Sequence, residues 1–394
     1  MKIRLSHKTL GILLHSAIVL AISYFIVLVF ALNTKSLSFF SILEEGDEQM
    51  SDMYLYINAR KGPARLNADI TLVNVDSCKD RFEIAQLIEK IDSLRPSVIG
   101  VDIFFRNRKE AKVDSALESV IRKCNNLVIS CILEGEQHED KDIYTVCNRN
   151  FFVDEKTDRF TEGYININSN GFSKVQTFTH KLFLKRENAL DTLYCFPAQI
   201  VKLYDEKAYR RLLQRTGNSE LIHYQPFRFY ELDKSEIDDN QDVISGKIVL
   251  VGSFSEDIHR TPVTPQMRGM EIHAQVISII LGGKYIDRLD NIWTKLLNIL
   301  FCYLFAIFCW VATTRIKEGV PFLIKLAQVI ILAAAFFVGY FLFNHYNIDI
   351  TYTRSIIVMG IALLIVDVYH VGISWGSKRI HKLINNKRNE KDNQ

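Results

Sequence analysis

The residues best suited to chemistry are acids, a histidine and a serine distributed between positions 76 and 273. Asp76 and Asp102 lie near the ends of two apolar runs, ITLVNVDS and SVIGVDIFF, that read as successive parallel strands. Gly252-Ser253 ends a third apolar run, KIVLV, and Glu271 and His273 follow at the start of a helical stretch. In open parallel sheets ligands bind in the crevice outside the carboxyl ends of the strands. Asp76, Asp102, Ser253, Glu271 and His273 therefore predict a pocket for a small molecule or a cation. A bolder version makes Asp76, Asp102, His259 and His273 the centre of a metal-dependent hydrolase, since carboxylates and imidazoles are suitable ligands. The structural alternative is that Asp76 and Asp102 cap loops and helix starts, while Glu271 favours a helix N-terminus electrostatically. G-x-G-x-x-G, G-x-x-x-x-G-K-[ST], H-E-x-x-H and G-x-S-x-G are all missing from the sequence, so no motif of fixed spacing assigns catalysis. No catalytic residue, resident metal or cofactor is expected.

A second polar group sits where it is costly. Residues 10–32, 296–314, 321–343 and 356–373 are apolar segments long enough to cross a hydrocarbon core about 30 Å thick. Asp367 and His370 fall inside the fourth and His15 inside the first. An ionisable group in a membrane is by default a functional hypothesis. Asp367 and His370 are three apart on one helical face, placed to pair with each other or with a neighbouring span; coupling to a partner and ion conduction are the rival uses.

The elements around these groups follow from charge and periodicity. The formal net charge of the 394-residue chain is +3, which gives no sign of a nucleic-acid partner. Mapped to position, Lys and Arg flank the N-terminus, the loop with Arg315 and Lys317, and the C-terminal tail, whereas residues 344–352 carry none. The positive-inside rule then places both termini in the cytoplasm, and the main domain outside a bacterial inner membrane. The first segment is too long for a signal-peptide core and lacks a small-x-small site after it, so it reads as an uncleaved anchor. The expected division is a cytoplasmic N-terminus (1–9), an anchor (10–32), an extracytoplasmic domain (33–291), three spans (292–373) and a basic tail (374–394). Five cysteines fall in the outer region; an odd number cannot all pair internally, and free buried thiols are expected.

Between the spans, apolar runs at 70–75, 97–105, 126–133 and 247–251 alternate with helical stretches at 81–94, 114–123, 196–213 and 269–281. Such alternation predicts a mainly parallel sheet with helices on both faces, an α/β domain. Residues 163–168 and 172–178 read as two strands joined by a polar turn, 134–160 as an irregular insertion, 221–224 as a short strand, and 229–243 as a polar passage.

Several of these segments resemble the second-type CHASE family of extracytoplasmic sensory domains associated with cyclases and histidine kinases. ITLVNVDS (70–77) resembles its opening strand, and RPSVIGVDIFF (95–105) the next, each with its aspartate. EGYININSNGFSKV (162–175) is similar to its Gly-x-x-Asn and glycine turn, and GKIVLVGS, TPVTP and GMEIHAQVISIIL (246–281) to its closing block. One anchor before the domain and three spans after it also match. The Trp- and Pro-rich stretch such domains often carry after the first aspartate is replaced here by CKDRFEIAQ, and no output domain follows within the sequence. The resemblance implies a sensory input subunit that acts on a separate cytoplasmic or membrane effector, with homodimerisation by analogy. A scaffold or accessory subunit of a membrane complex is the alternative from another class, and the extracytoplasmic hydrolase the third.

Overall fold

The computed structural model describes residues 7–33, 49–135, 143–154, 160–167, 174–186, 189–315 and 321–392. The acidic patch at 44–48, the glycine turn at 168–173 and the loop residues 316–320 lie outside them. The chain forms two compact units, one of residues 52–286 and one of 1–51 with 287–394.

Helix α1 (His7–Asn33) belongs to the second of these units, and α2 (Gln49–Ala59) crosses the boundary into the first, which is built on a sheet. Its strands are β1 (Arg65–Asn74), β2 (Val98–Asp102), β3 (Leu127–Glu134), β5 (Val146–Asn148), β6 (Thr161–Tyr164), β11 (Phe227–Asp233) and β12 (Ile248–Gly252), with β4 at Ile143–Tyr144 just before β5. The order is β11-β1-β12-β2-β3, with β6 parallel and β5 antiparallel to β3. All other ladders in this sheet are parallel. β2 and β12 are apolar without alternation because both faces are covered. On one face α3 (Arg81–Ser93) and α4 (Ala111–Lys123) bury Ala85, Ile88, Ile91, Leu117 and Ile121 against Ile99, Val101 and Val249. On the other, α5 (Phe196–Tyr204) packs so closely that a Cβ on Gly100 would meet Ile200, Leu250 and Phe196. The α/β class with helices on both faces is as expected from the sequence.

Three local expectations are corrected. The helix expected over 196–213 is two, α5 and α6 (Glu206–Leu213), because Asp205 leaves the helical region at ψ 92° and caps α6 through Lys207 N and Ala208 N. The strands expected at 163–168 and 172–178 do not pair. β6 joins the main sheet beside β3, whereas β7 (Thr177–Thr179) pairs antiparallel with β10 (Ser219–Leu221). The polar passage at 229–243 holds the edge strand β11; one exposed edge tolerates its charged residues. A further hairpin, β8 (Lys181–Lys185) with β9 (Leu190–Tyr194), was not legible from the sequence.

Gly163 in β6 faces the start of α5, where an added Cβ would stand 2.8 Å from the Phe196 nitrogen. Backbone cannot swing aside as a side chain does. Gly163→Ala is expected to cost about 1–3 kcal/mol, read as a lower denaturation midpoint; an unchanged midpoint would show that β6 and α5 separate freely.

The closing segment comprises β13 (Ile258–His259), β14 (Met267–Arg268) and α7 (Gly269–Gly282), which ends at Gly283 with φ 61°. Glycine accepts that left-handed cap without strain.

In the second unit β15 (Asp287–Leu289) leads into α8 (Ile292–Arg315), α9 spans Pro321–Tyr346, and β16 (Ile348–Ile350) precedes α10 (Thr353–Asp392). β15 and β16 pair in parallel, Asp287 opposite Ile348. Four helices, α1 and α8 to α10, are long and apolar enough to cross a membrane. α10 is one helix of 40 residues, so no break separates the fourth span from the basic tail. At 1.5 Å per residue it is about 60 Å long, roughly twice a hydrocarbon core.

Candidate functional site

Strand register builds the first site. Asn74 of β1, Gly252 of β12 and Asp102 of β2 are level, as is Asp233 of β11, so the sheet presents them in one row at its carboxyl edge. Asn74 Nδ2 donates to Asp233 Oδ1 at 3.0 Å. The loops leaving this row carry the residues singled out above.

The structure sorts those five residues into three groups. Asp76 and Ser253 hold each other: Ser253 Oγ donates to Asp76 Oδ1 at 2.6 Å, and Phe254 N donates to Asp76 Oδ2 at 3.2 Å. The same hydroxyl accepts from Ser255 N and Glu256 N, so this pair fastens the loop after β12 to the loop after β1. Glu271 caps α7, accepting from Arg268 N at 3.2 Å and pairing with the Arg268 guanidinium. Arg268 also forks onto Glu231 at 2.5 and 3.0 Å and lies over the Phe254 ring, 4.2 Å from its centroid. Burial would lower the basicity of Arg268, but its two carboxylate partners outweigh it and hold the group more basic than usual.

Asp102 and His273 form the third group. Their side chains are 9 % and 7 % exposed, with His273 Nε2 3.7 Å from Asp102 Oδ2. Burial pushes the Asp102 carboxyl up; His273 and His259 oppose the shift, and Asp257 reinforces it. Asp257 was missed in the sequence. It lies at the start of α7, where a Cβ on Gly269 would collide with its carboxylate. His259 Nε2 is 2.6 Å from Asp257 Oδ1. Burial works to raise Asp257, but the His259 contact and the charges of both histidines hold it below the usual range. The only sequence signal for this acid was a glycine, Gly269, at a helix start twelve residues on.

The arrangement can hold a proton or a polar ligand between two acids and two imidazoles. Among the described residues no three His, Cys, Asp or Glu side chains converge to hold a metal ion. The quartet Asp76, Asp102, His259 and His273 is not brought together as a metal centre, because Asp76 is drawn off to Ser253. All seven cysteines are free thiols.

Within the membrane-spanning unit, Asp367 and His370 turn to neighbouring spans and not to each other. Asp367 Oδ2 is 2.7 Å from Lys325 Nζ on α9, and Thr313 Oγ1 on α8 lies 3.4 Å from Oδ1. His370 packs edge-on against Trp310, which stacks on His15 at 4.6 Å; His15 Nδ1 is 3.1 Å from Tyr369 Oη. Trp310, which reads in sequence as an interface anchor, is a buried helix contact, 6 % exposed. Trp293 and Trp375 are 75 % and 77 % exposed.

Residues 23–314 match the CHASE2 domain. The chain belongs to the CHASE2 domain family. No curated protein and no solved structure matches it. The CHASE2 match covers the α/β unit, the end of the first membrane helix and the second. CHASE2 is an extracellular sensory domain, not a catalytic one, and the four apolar helices fit a multi-pass membrane protein.

Proposed function

We propose that this protein is a membrane-bound signal-input subunit. Its α/β domain, residues 33–291, faces the outside of a bacterial inner membrane and responds to a ligand or an envelope condition. Both termini are cytoplasmic, and the spans pass the response to a separate effector on that side. CHASE2 membership carries the proposal. The chain path supports it: only nine residues separate the end of α7 at Gly282 from the start of α8 at Ile292. A ligand shifts such a domain by its differential affinity for two packings, and α7 is the last helix before the second span. Of the residues at the strand ends, Asp102 and His273 are those we assign to sensing, since Asp76, Ser253 and Glu271 are engaged in holding the loops. The subunit is non-enzymatic.

Cross-linking and tagged purification from native membranes tests this. A kinase- or cyclase-type effector recovered in stoichiometric amount supports the proposal; recovery of envelope structural or transport proteins alone replaces it with the scaffold. With the effector in hand, a flexible Gly/Ser spacer after Asp290 should abolish the response while leaving the complex intact. An undiminished response would mean that α7 does not drive α8.

A further inference from the structure

A cavity of about 310 Å³ lies away from the Asp102 and His273 pair, between β1, the entry to β11 and the last turns of α7. Its wall is mixed in a specific way. Phe227, Ile279 and Leu281 supply apolar surface, Asp69 an anionic group and Lys284 a cationic one. Asn67, His223, Gln225 and Ser278 supply neutral hydrogen-bonding groups.

The polar side of this wall is built. The ladder between β1 and β11 shifts register between Leu66 and Thr71, and such an irregularity re-aims the side chains it carries. Asn67 Nδ2 then donates to Ser278 Oγ at 2.8 Å, Ser278 Oγ to Ala274 O, and Asp69 N to Asn67 Oδ1 at 3.1 Å. Gln275 clamps the backbone of Gln225 from both sides, at 3.1 and 2.9 Å. These bonds fix the positions before any ligand arrives, which lowers the ordering cost of binding. Lys247 Nζ forms an ion pair with Asp69 Oδ1 at 3.7 Å; that is beyond hydrogen-bond range, so the pair occupies none of the hydrogen-bonding positions of the carboxylate. The carbonyl end of α7 in the same corner attracts positive charge and already takes it from Arg211, whose Nη2 donates to Leu281 O at 2.9 Å. Burial and the charge of Lys284 hold His223 neutral, its pKa lowered to about 4.

We propose that this cavity binds a small zwitterion of amino-acid type, its ammonium toward Asp69, its carboxylate toward Lys284, and its side chain on Phe227 and Ile279. A dianion or a dication would leave one charged wall unmatched, and 310 Å³ is at the lower end for small-ligand sites, too small for a nucleotide. Binding would brace the last turn of α7; that consequence rests on the sensor proposal, whereas binding itself does not.

The test uses the full chain in lipid nanodiscs, titrated with each of the standard amino acids, and with acetate and methylammonium as probes carrying one charge only. At least one amino acid should bind and raise the melting temperature, while neither single-charge probe does. Asp69→Asn and Lys284→Gln, both at exposed positions, should each weaken that binding by about tenfold or more, and Asp76→Asn should not. The unliganded melting temperature of each variant checks folding, and Ser278→Ala provides an independent wall variant. Binding by none of the amino acids, equal binding of acetate or methylammonium, or affinity that survives both charge substitutions would overturn the proposal. None of these outcomes depends on an effector, so a failed sensor proposal would leave them readable.

Discussion

Asp114→Ala is expected to destabilise the α/β unit by about 3–5 kcal/mol. Arg81 Nη1 and Asp114 Oδ1 stand 2.6 Å apart, with side chains 8 % and 5 % exposed. The guanidinium lies 4.8 Å from the Phe151 ring centroid and 5.5 Å from that of Phe105, and Asp114 Oδ2 accepts from Lys109 N at 2.6 Å. Removing the carboxylate strands a charge that aromatic faces offset only partly, and it frees the loop that enters α4. Burial would raise the Asp114 carboxyl, but the Arg81 hydrogen bond and charge win and hold it below the usual range. Denaturant titration of the single variant and of Arg81→Met with Asp114→Leu separates the causes. The double variant should recover most of the loss, because well-packed apolar residues replace a buried pair at little cost. A loss below about 1 kcal/mol for Asp114→Ala would show that the pair is solvated in solution.

Acid should loosen the same unit well above the carboxylate range. His180 is fully buried, and among the described residues neither of its ring nitrogens has a hydrogen-bond partner. Burial, helped by Lys181 and Arg215, lowers its pKa to about 4; His223 is lowered to about 4 by burial and by Lys284. Unfolded, both return to about 6.5. Between these values the unfolded chain binds more protons, so the stability is complete above about pH 6.5 and is lost as pH falls toward 4. From about pH 7 to about pH 5 the loss is roughly 2 kcal/mol per histidine. Asp102 works in the opposite direction, since its raised carboxyl takes up a proton more readily when folded. Asp114 adds to the loss only at lower pH, as its depressed carboxyl finally titrates. Denaturation midpoints measured at both pH values should differ, and the difference should shrink in His180→Gln with His223→Gln. An equal drop in that variant would place the effect in other groups.

What could be read from the sequence divides along physical lines. β2 and β12 were legible because strands covered on both faces must be apolar throughout, and α3 and α7 because periodicity and glycine stops mark them. β11 was not, since an edge strand keeps charged residues such as Arg228 and Glu231 and looks like loop. The break at Asp205 hid inside a continuous helical pattern, as only the cap geometry reveals it. Asp102 and His273 were found together because strand ends and helix starts converge in any parallel sheet. Asp257 and Lys325 were missed because each meets its partner through tertiary packing, which leaves no spacing in the chain. The cavity beside Asn67 and Asp69 depends on a register shift that composition does not encode.

The parallel pair β15 and β16 has a mechanical meaning. One strand runs into α8 and the other into α10, and they are joined by more than the ladder. Asp287 N donates to Asn347 O at 2.8 Å, Thr351 Oγ1 to Leu289 O at 3.1 Å, and Asn298 Nδ2 to Thr351 O at 2.8 Å. Sliding one strand past the other by a single register step means about 3.3 Å of travel and every bond broken. A pull on Asp287 is therefore shared by two helices from the outset. Under the signal-input role proposed above, the two strands would act as a yoke, drawing α8 and the 40-residue α10 as a team.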